Sequence, residues 1–235
     1  MKVTVITVCY NALLDLKQTL DNVLMTKNVD YDIVVIDGNS DDGTKEFLDD
    51  ASITRLTYIS EPDNGIYDAM NKGVLLATGE YVIFMNAGDL FYSEFSLSTL
   101  VSSFDNDNVD VVIGNAVMSN GFVKEHKLSF WYVLRNSICH QAMLIKKDSL
   151  INFGGYDLSF KISSDNDFLI KNIHIFKISL INQIVCIYDV NGISSDKKNR
   201  RNIWLEKKNT YKNSNIPLAK KIFAVLFCNF ILVWI

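Results

Sequence analysis

The fold is decided by one stretch near the N-terminus, Lys2-Val3-Thr4-Val5-Ile6-Thr7-Val8-Cys9-Tyr10-Asn11. Residues 2–9 are β-branched almost without a break, which is typical of a strand that is covered on both faces of a sheet. Leucine and valine then recur at helical spacing over residues 13–24, so a helix follows this strand. A strand that leads directly into a helix predicts the first unit of an α/β fold.

The same alternation continues along the chain. Strands are predicted over residues 31–37, 56–60, 79–85, 109–114 and 141–146. Helices are predicted over residues 44–50, 66–77 and 165–173. Short connections between these elements imply a Rossmann-like, mostly parallel sheet with flanking helices and right-handed crossovers. Ligands bind outside the carboxyl ends of the strands in such a sheet, so the polar loops after residues 9, 37, 60 and 85 are candidate sites.

The composition excludes several classes of protein. With 235 residues, 49% of them hydrophobic and 21% charged, the chain can bury one main core and is not a disordered tail. No unit recurs at a fixed spacing, which excludes a solenoid. The four cysteines lie far apart without a C-x-x-C pair, so neither a zinc knuckle nor a disulfide framework is predicted, and a reducing cytosol is expected.

The charge is unevenly distributed. Residues 197–221 hold nine Lys or Arg against one acid, whereas the rest of the chain is acidic. Residues 222–235 carry no charge, but this run is shorter than the roughly 20 residues of a membrane-spanning helix. We therefore predict a domain over residues 1–195 and a helical tail over 196–235 that lies on an anionic membrane surface. The alternative is a helix packed on the protein's own core or on a second copy. No signal peptide is expected at the N-terminus.

The turn after the first strand, Cys9-Tyr10-Asn11-Ala12, lacks the glycine patterns of dinucleotide-binding folds and of P-loops. NAD enzymes and P-loop NTPases are therefore disfavoured. Asp37 ends the second strand, where a carboxylate can accept hydrogen bonds from a nucleobase or from sugar hydroxyls. A purely structural alternative is that Asp37, Asp42 and Gly43 build a turn and cap the next helix.

Two further loops carry polar side chains that suit a nucleotide. Within residues 60–73, Asp63 can contact a base or ribose and Lys72 a phosphate, although Asp68 and Lys72 can also form a simple surface pair. Asp89 follows the fourth strand and can bind a hard cation, Mg²⁺ or Mn²⁺, together with a diphosphate. The alternative for Gly88-Asp89 is an ordinary turn.

The second half supplies a candidate base. Asp165 can take the proton of a sugar hydroxyl that attacks an anomeric carbon, or it can simply cap the helix that follows. Asp167, two residues further on, points in a different direction on a helix and cannot share that role. On residue type alone, His140 is more readily a satisfied buried histidine, and Cys139 has no feature that would activate a thiol.

Taken together and in order, six stretches resemble the inverting, GT-A-fold glycosyltransferases of family 2. They are residues 5–11, 34–44, 60–73 and 79–89, His140-Gln141 and Ser164-Asp165. The resemblance covers about residues 1–195, and the block Glu61 to Gly73 is most similar to the colanic-acid and O-antigen branch.

The resemblance implies roles by position. The nucleotide would be contacted by Thr7, Tyr10, Asp37, Asn39, Asp63 and Lys72. Asp89 takes the place of the last carboxylate of the D-x-D metal motif, whose first carboxylate is replaced by Ala87 or, in another alignment, by Asn86. Asp165 matches the catalytic base, with Ser164 where glutamate is usual. The acceptor would be contacted by His140, Gln141 and Asp167.

The activity implied by the resemblance is single-displacement transfer of a hexose, with glucose or galactose favoured, from a UDP-sugar. The acceptor would be a sugar on undecaprenyl diphosphate, in O-antigen, lipopolysaccharide or exopolysaccharide synthesis. Mn²⁺ or Mg²⁺ would assist, and the protein would be cytoplasmic, peripheral on the inner face of the cell membrane, without a nucleic-acid partner. Two alternatives are a nucleotidyltransferase, whose usual Gly-rich loop is missing, and a nucleotide-binding scaffold without activity. For the enzyme, we expect Asp37, Asp89 and Asp165 to converge on one cleft.

Overall fold

The structure, a computed structural model, describes residues 1–104, 109–188 and 196–235. The strands in these ranges are β1 Lys2–Cys9, β2 Asp30–Asp37, β3 Leu56–Ser60, β4 Tyr81–Phe84, β5 Leu90–Phe91, β6 Val111–Met118, β7 Val123–Lys124, β8 Met143–Lys146 and β9 Ile178–Tyr188. The α-helices are α1 Leu13–Leu24, α2 Thr44–Asp50, α3 Ile66–Leu76, α4 Ser96–Ser102, α5 Phe130–Arg135, α6 Lys147–Asn152, α7 Ser164–Asn172, α8 Arg200–Asn213 and α9 Leu218–Trp234.

The described strands form one sheet in the order β3-β2-β1-β4-β8-β6-β9-β5, with β7 paired to β6. β1 lies parallel to both β2 and β4, and β2 lies parallel to β3. These four strands therefore end at the same edge of the sheet, and the loops that follow them meet there. β8 runs antiparallel to both of its neighbours, whereas β6 and β9 are parallel.

Helices cover both faces of the sheet. On one face, Val3 and Val5 of β1 pack in a cluster with Leu16 and Leu20 of α1 and with residues of α4. On the other face, Ile6 packs in a second cluster with residues of α3, α6 and α7. Because successive side chains of a strand point to opposite faces, the unbroken β-branched run of β1 serves both cores.

The C-terminal helices pack on the outside of this three-layer arrangement. Ala224 and Cys228 of α9 are buried in a third cluster with Tyr211 of α8, Leu134 of α5 and Ile170 of α7. Among the residues that the structure describes, none of the helices reaches the length and hydropathy that a bilayer crossing requires.

The prediction of an α/β fold with a mostly parallel sheet is confirmed, and β1 to β4 begin and end within two residues of their predicted bounds. The second half differs more. The strand predicted over 141–146 begins at Met143, because His140–Ala142 form a 3-10 turn. Strands β5, β7 and β9 are not predicted. The expected domain boundary at 195/196 adjoins residues 189–195, which lie outside the described residues.

Candidate active site

Asp89 lies in a tight turn that follows β4. Gly88 has φ of +95°, in the left-handed region that favours glycine, and this conformation turns the chain sharply before Asp89. Thr19 of α1 holds the turn, since its hydroxyl accepts from the Gly88 amide at 2.9 Å and donates to the Asp89 carbonyl at 3.0 Å. The Asp89 carboxylate accepts from the Asn86 amide at 3.1 Å and from Gln141 Nε2 at 2.9 Å.

His140 lies between two carboxylates from opposite halves of the chain. Its Nδ1 is 3.3 Å from Asp165 and its Nε2 is 3.8 Å from Asp89. The side-chain amide of Asn86 lies 3.1 Å from Nε2. Burial alone lowers the pKa of His140, but the hydrogen bonds and negative charges of Asp165 and Asp89 outweigh it and raise this pKa to about 9. The His140 ring therefore links the two acids, Asp165 at hydrogen-bond distance and Asp89 at 3.8 Å.

Asp165 lies in the first turn of α7 and is only 5% exposed. One of its oxygens faces His140, and the other accepts from the Tyr67 hydroxyl of α3 at 3.2 Å. Burial first, and then the negative charge of Asp165, hold the pKa of Tyr67 well above its usual value. Tyr67 therefore keeps its proton, and the hydrogen bond that it donates orients the Asp165 carboxylate.

These side chains open onto one cavity of about 600 Å³. Its lining includes Asp89, His140, Gln141 and Asp165, which come from the turn after β4, the 3-10 turn before β8 and the start of α7. Asp37 is not among the lining residues. Two of the three acids that we expect to converge therefore share the cavity, and the third lies elsewhere.

The lining suits a hard divalent cation that is shared with a substrate. The amide oxygens of Gln141 and Asn86 are buried and have no hydrogen-bond partner among the described residues, and both amino acids contact Asp89. One carboxylate, amide oxygens and a diphosphate are ligands that Mg²⁺ or Mn²⁺ takes. Within the described ranges no group of three His, Cys, Asp or Glu side chains is placed to hold a metal. The residues fit a cation only in company with a substrate's phosphates.

A second cluster lies at the ends of β1 and β2. The Asp63 carboxylate and the Tyr10 ring flank Gly38, where an added Cβ would lie 2.7 Å from Asp63 Oδ2 and 3.3 Å from the tyrosine ring. Tyr10 is 66% exposed, and Asn39 beside it is exposed with φ of +66°. An exposed ring, a carboxylate and a backbone without a side chain form a surface on which a planar base and a ribose can lie.

Three further residues that the sequence predicts as nucleotide contacts are buried or have partners within the protein. Asp37 is fully buried and accepts hydrogen bonds from the Ser60 hydroxyl at 2.6 Å and from the backbone and hydroxyl of Ser40. These hydrogen bonds stabilise the turn, and contact of Asp37 with a nucleotide stays a prediction. Thr7 has no exposed surface. Lys72 pairs with Glu61 at 2.8 Å and donates to the Pro62 carbonyl, and these contacts hold the loop.

Asp167, which is predicted to contact the acceptor, has its partners on α7 and α8. This side chain is 2% exposed and does not line the cavity. It accepts from the Thr210 hydroxyl of α8 at 2.7 Å and forms an ion pair with Lys171 at 2.6 Å. Asp167 therefore joins α7 to α8.

Several cavity residues have no role in the sequence-based prediction. Tyr67 lies inside the block over residues 60–73, yet nothing in its pattern distinguishes it from a core aromatic. Asp15 lines the cavity from α1, beside Gly88. The cavity also receives the basic residues Lys124, Arg135 and Lys161. Their positions are scattered along the chain, so only the fold brings them together.

Comparison with known proteins shows the family to which this chain belongs. A family model described as Glycosyl transferase family 2 matches residues 4–162. A PGL/p-HBAD biosynthesis glycosyltransferase of Mycobacterium tuberculosis is 32% identical over 165 residues, which are 65% of this chain and 62% of that protein. This chain thus spans less than two thirds of that relative's length. An uncharacterized glycosyltransferase of the same organism is 26% identical over 208 residues, 83% of this chain and 78% of that protein. Neither name refers to colanic acid or O-antigen.

Solved structures have the same architecture. Staphylococcus aureus TarS 1-349 in complex with UDP-GlcNAc superposes with a TM-score of 0.73 at 15% identity, covering 97% of this chain and 72% of that one. The mannosyltransferase PcManGT from Pyrobaculum calidifontis, in complex with GDP-Man and Mn²⁺, gives 0.69 at 19% identity, covering 98% and 69%. At such identities the likeness establishes the fold, which is GT-A-like. Because the family model covers more than half of the sequence, this chain belongs to glycosyl transferase family 2.

Proposed function

We propose that the chain is an inverting glycosyltransferase that moves a hexose from a UDP-sugar to a sugar on a lipid diphosphate. The observation that carries the proposal is the convergence of Asp89, His140 and Asp165 in one cavity, with His140 within 3.3 Å of Asp165. An acid that can accept a proton and an acid that suits a cation then lie on either side of one imidazole. This is the arrangement that displacement of a nucleoside diphosphate by an alcohol requires.

In this mechanism Asp165 accepts the proton of the acceptor hydroxyl as that oxygen attacks the anomeric carbon from the face opposite the leaving diphosphate. Tyr67 and His140 hold the Asp165 carboxylate in position, because each contacts a different oxygen. Asp89, with the amide oxygens of Asn86 and Gln141, would hold Mn²⁺ or Mg²⁺, which neutralises charge on the leaving diphosphate. The surface around Tyr10, Gly38 and Asp63 would hold the nucleoside.

The experiment is a panel of nucleotide sugars with Mn²⁺ or Mg²⁺ and a synthetic sugar-diphosphate-lipid acceptor, with release of the nucleoside diphosphate as the readout. We expect turnover with a UDP-hexose, glucose or galactose first. Asp165→Asn should lower kcat by about 10²- to 10⁴-fold, because this is what general-base catalysis contributes and the amide cannot accept the proton. Nucleotide binding should be retained, because Asp165 does not contact the nucleoside surface. Asp167→Asn is the matched control on the same helix.

Unchanged activity of Asp165→Asn would show that Asp165 is not the base. Absence of turnover with every donor would contradict the proposed transferase activity. Pyrophosphate release from a nucleoside triphosphate and a sugar phosphate would identify the nucleotidyltransferase alternative instead. Nucleotide binding without any turnover would support the alternative of a nucleotide-binding scaffold without activity. The colanic-acid and O-antigen setting rests on the block Glu61 to Gly73, and the acceptor sugar in the assay tests it.

We also propose that residues 196–235 attach the catalytic domain, residues 1–195, to the inner face of the cell membrane. One face of α9 is apolar and exposed, while Ala224 and Cys228 on its other face are buried. The exposed residues are Leu218, Ile222, Phe223, Leu226, Phe230, Val233 and Trp234. Nine basic residues over 197–221 lie in the same segment and complement anionic headgroups.

Vesicle sedimentation tests the attachment. The protein should sediment with vesicles that contain phosphatidylserine and less with neutral phosphatidylcholine, and Leu226→Glu with Phe230→Glu should abolish sedimentation. Leu75→Glu is the control, because Leu75 is 76% exposed on α3, away from the tail. Vesicle binding that survives the double substitution would contradict the proposal. Concentration-dependent dimerisation that the same substitutions abolish would assign the face to a second copy.

A further inference from the structure

Three basic side chains line the cavity and take no part in the chemistry above. Lys124 lies on β7, Arg135 ends α5, and Lys161 precedes α7. Within the described ranges, none of them forms an ion pair with a carboxylate within 4.0 Å. Lysines elsewhere among the described residues do form such pairs, as Lys72 and Lys171 do. Asp15, Asp89 and Asp165 line the same cavity, but none of them pairs with these cations, which therefore favour an anionic group of a ligand.

Each cation is attached to a fixed part of the fold. Lys124 is held by the pairing of β7 with β6, where it lies opposite Ala116, and it is half-buried. The Arg135 guanidinium lies 6.0 Å from the Phe227 ring of α9. The backbone amide of Lys161 donates to Glu206 of α8 at 2.8 Å. Such anchoring means that a ligand would find the charges already arranged, with little conformational entropy lost from the backbone.

The order of the strands separates these cations from the nucleoside surface. Tyr10 and Asp63 follow β1 and β3, on the side of the sheet that begins β3-β2-β1, and Asp89 follows β4. Lys124 belongs to β7, which pairs with β6, two strands beyond β4 on the opposite side. The donor's diphosphate would lie between the nucleoside surface and Asp89. Lys124 therefore lies beyond the proposed point of transfer, on the acceptor's side, and Arg135 and Lys161 line the same cavity.

We propose that Lys124, Arg135 and Lys161 form a binding site for the phosphate or diphosphate group of the acceptor. The inference rests on the proposed transferase function and specifies which acceptors it takes. Asp89 and Asp165 line the same cavity and repel an anion, so the acceptor phosphate would lie at the cations and away from these two carboxylates. The Arg135 guanidinium contacts the Phe227 ring of α9, so it lies beside the helix whose exposed face we propose to contact lipid.

Kinetics with two acceptors test the site on the full chain. One acceptor carries its sugar on a diphosphate-alkyl chain, and the other carries the same sugar on an uncharged alkyl chain. Lys124→Gln, Arg135→Gln and Lys161→Gln should each raise the KM of the charged acceptor about tenfold and leave the KM of the donor and of the uncharged acceptor unchanged. Lys127→Gln, an exposed neighbour that does not line this cavity, is the control. Equal changes for both acceptors, or none, would overturn the proposal.

A binding measurement separates failure of this site from failure of the transferase. Inorganic pyrophosphate, titrated calorimetrically into the metal-free protein saturated with UDP, should bind to the wild type and at least 100-fold more weakly to the triple variant. Binding of UDP, measured alone, should be equal in both proteins and reports that the variant is folded. Pyrophosphate binding that UDP abolishes would assign the cations to the donor, and binding that is unchanged in the triple variant would refute the site. Both results are independent of turnover.

Discussion

Glu206 of α8 has the hydrogen bonding of a residue that positions the candidate base. Its carboxylate accepts from the backbone amides of Lys161 at 2.8 Å, Ile162 at 3.2 Å and Ser163 at 2.9 Å, and from the Ser163 hydroxyl at 2.6 Å. Ser163 is the N-cap of α7, and its own side chain does not cap the helix. A carboxylate from another helix therefore fixes the segment that ends two residues before Asp165.

The effect of Glu206→Ala on stability follows from these contacts. A hydrogen bond to a charged acceptor contributes about 1.5–3 kcal/mol, but Glu206 is partly exposed and water can replace several of the four. We therefore expect the free energy of unfolding to fall by about 3 kcal/mol, which is at the large end for a single substitution. Glu94→Ala is the control, because its exposed pair with Lys27 should contribute under about 1 kcal/mol.

The effect on catalysis distinguishes positioning from simple support of the fold. A misplacement of about 1 Å at a reacting group can cost roughly 100-fold in rate. At a temperature where the variant is fully folded, kcat should fall 10- to 100-fold while the KM of the donor changes less than about twofold. Urea unfolding and steady-state kinetics supply the two measurements. A folded Glu206→Ala with the wild-type kcat, or with a KM that rises in parallel, would refute the reasoning.

Three further predictions concern the core. Burial, and then the charge of Lys124, lower the pKa of His126 from 6.5 to about 3, so the unfolded chain binds more protons below pH 6.5. Stability should therefore decline by about 1.4 kcal/mol per pH unit as the pH falls from 6.5 towards 3, and urea unfolding of His126→Asn should lack this slope. Gly73→Ala should destabilise by about 1–3 kcal/mol in thermal unfolding, because the new Cβ would lie 2.4 Å from Ile6; an unchanged Tm would contradict that packing. The four cysteines are buried and free, so a thiol reagent should label them only on unfolding, and fast native labelling would count against their burial.

The N-terminal half of the fold could be predicted because each element has a strong local pattern. The unbroken β-branched run of β1 has only one common structural meaning, and the turn residues after each strand fix where it ends. β9 gave no such signal, since Asn182 and Gln183 interrupt its apolar pattern and its pairing with β6 shifts register near Gly114. Only glycine fits at position 114, because a Cβ there would lie 2.6 Å from the Val185 side chain.

The candidate site was only partly predictable, for a physical reason that Asp37 illustrates. Asp89 and Asp165 follow strand or loop ends that a motif can identify, and both line the cavity. Asp37 has the same type of position, but the parallel register of β2 and β3 sets Ser60 directly beside it. The Ser60 hydroxyl and Ser40, three residues away, satisfy the carboxylate and bury it. The sequence pattern alone does not show which neighbour hydrogen-bonds to a carboxylate, because that neighbour is set by strand pairing across the sheet.

Asp167 and Glu206 together show how the tail belongs to the catalytic unit. Side chains two residues apart on a helix point in directions that differ by about 200°. When the Asp165 side chain points into the cavity, the Asp167 side chain therefore points away from it. Asp167 meets Thr210, which is one helical turn beyond Glu206 on α8, and Glu206 meets the segment before α7. Glu206 is also the one acid among the nine basic residues over 197–221. A negative charge does not contribute to the binding of anionic lipid headgroups, so Glu206 has another role. Its carboxylate instead joins α8 to the segment that precedes α7, so the proposed membrane attachment would act on a helix that contacts the turn before Asp165.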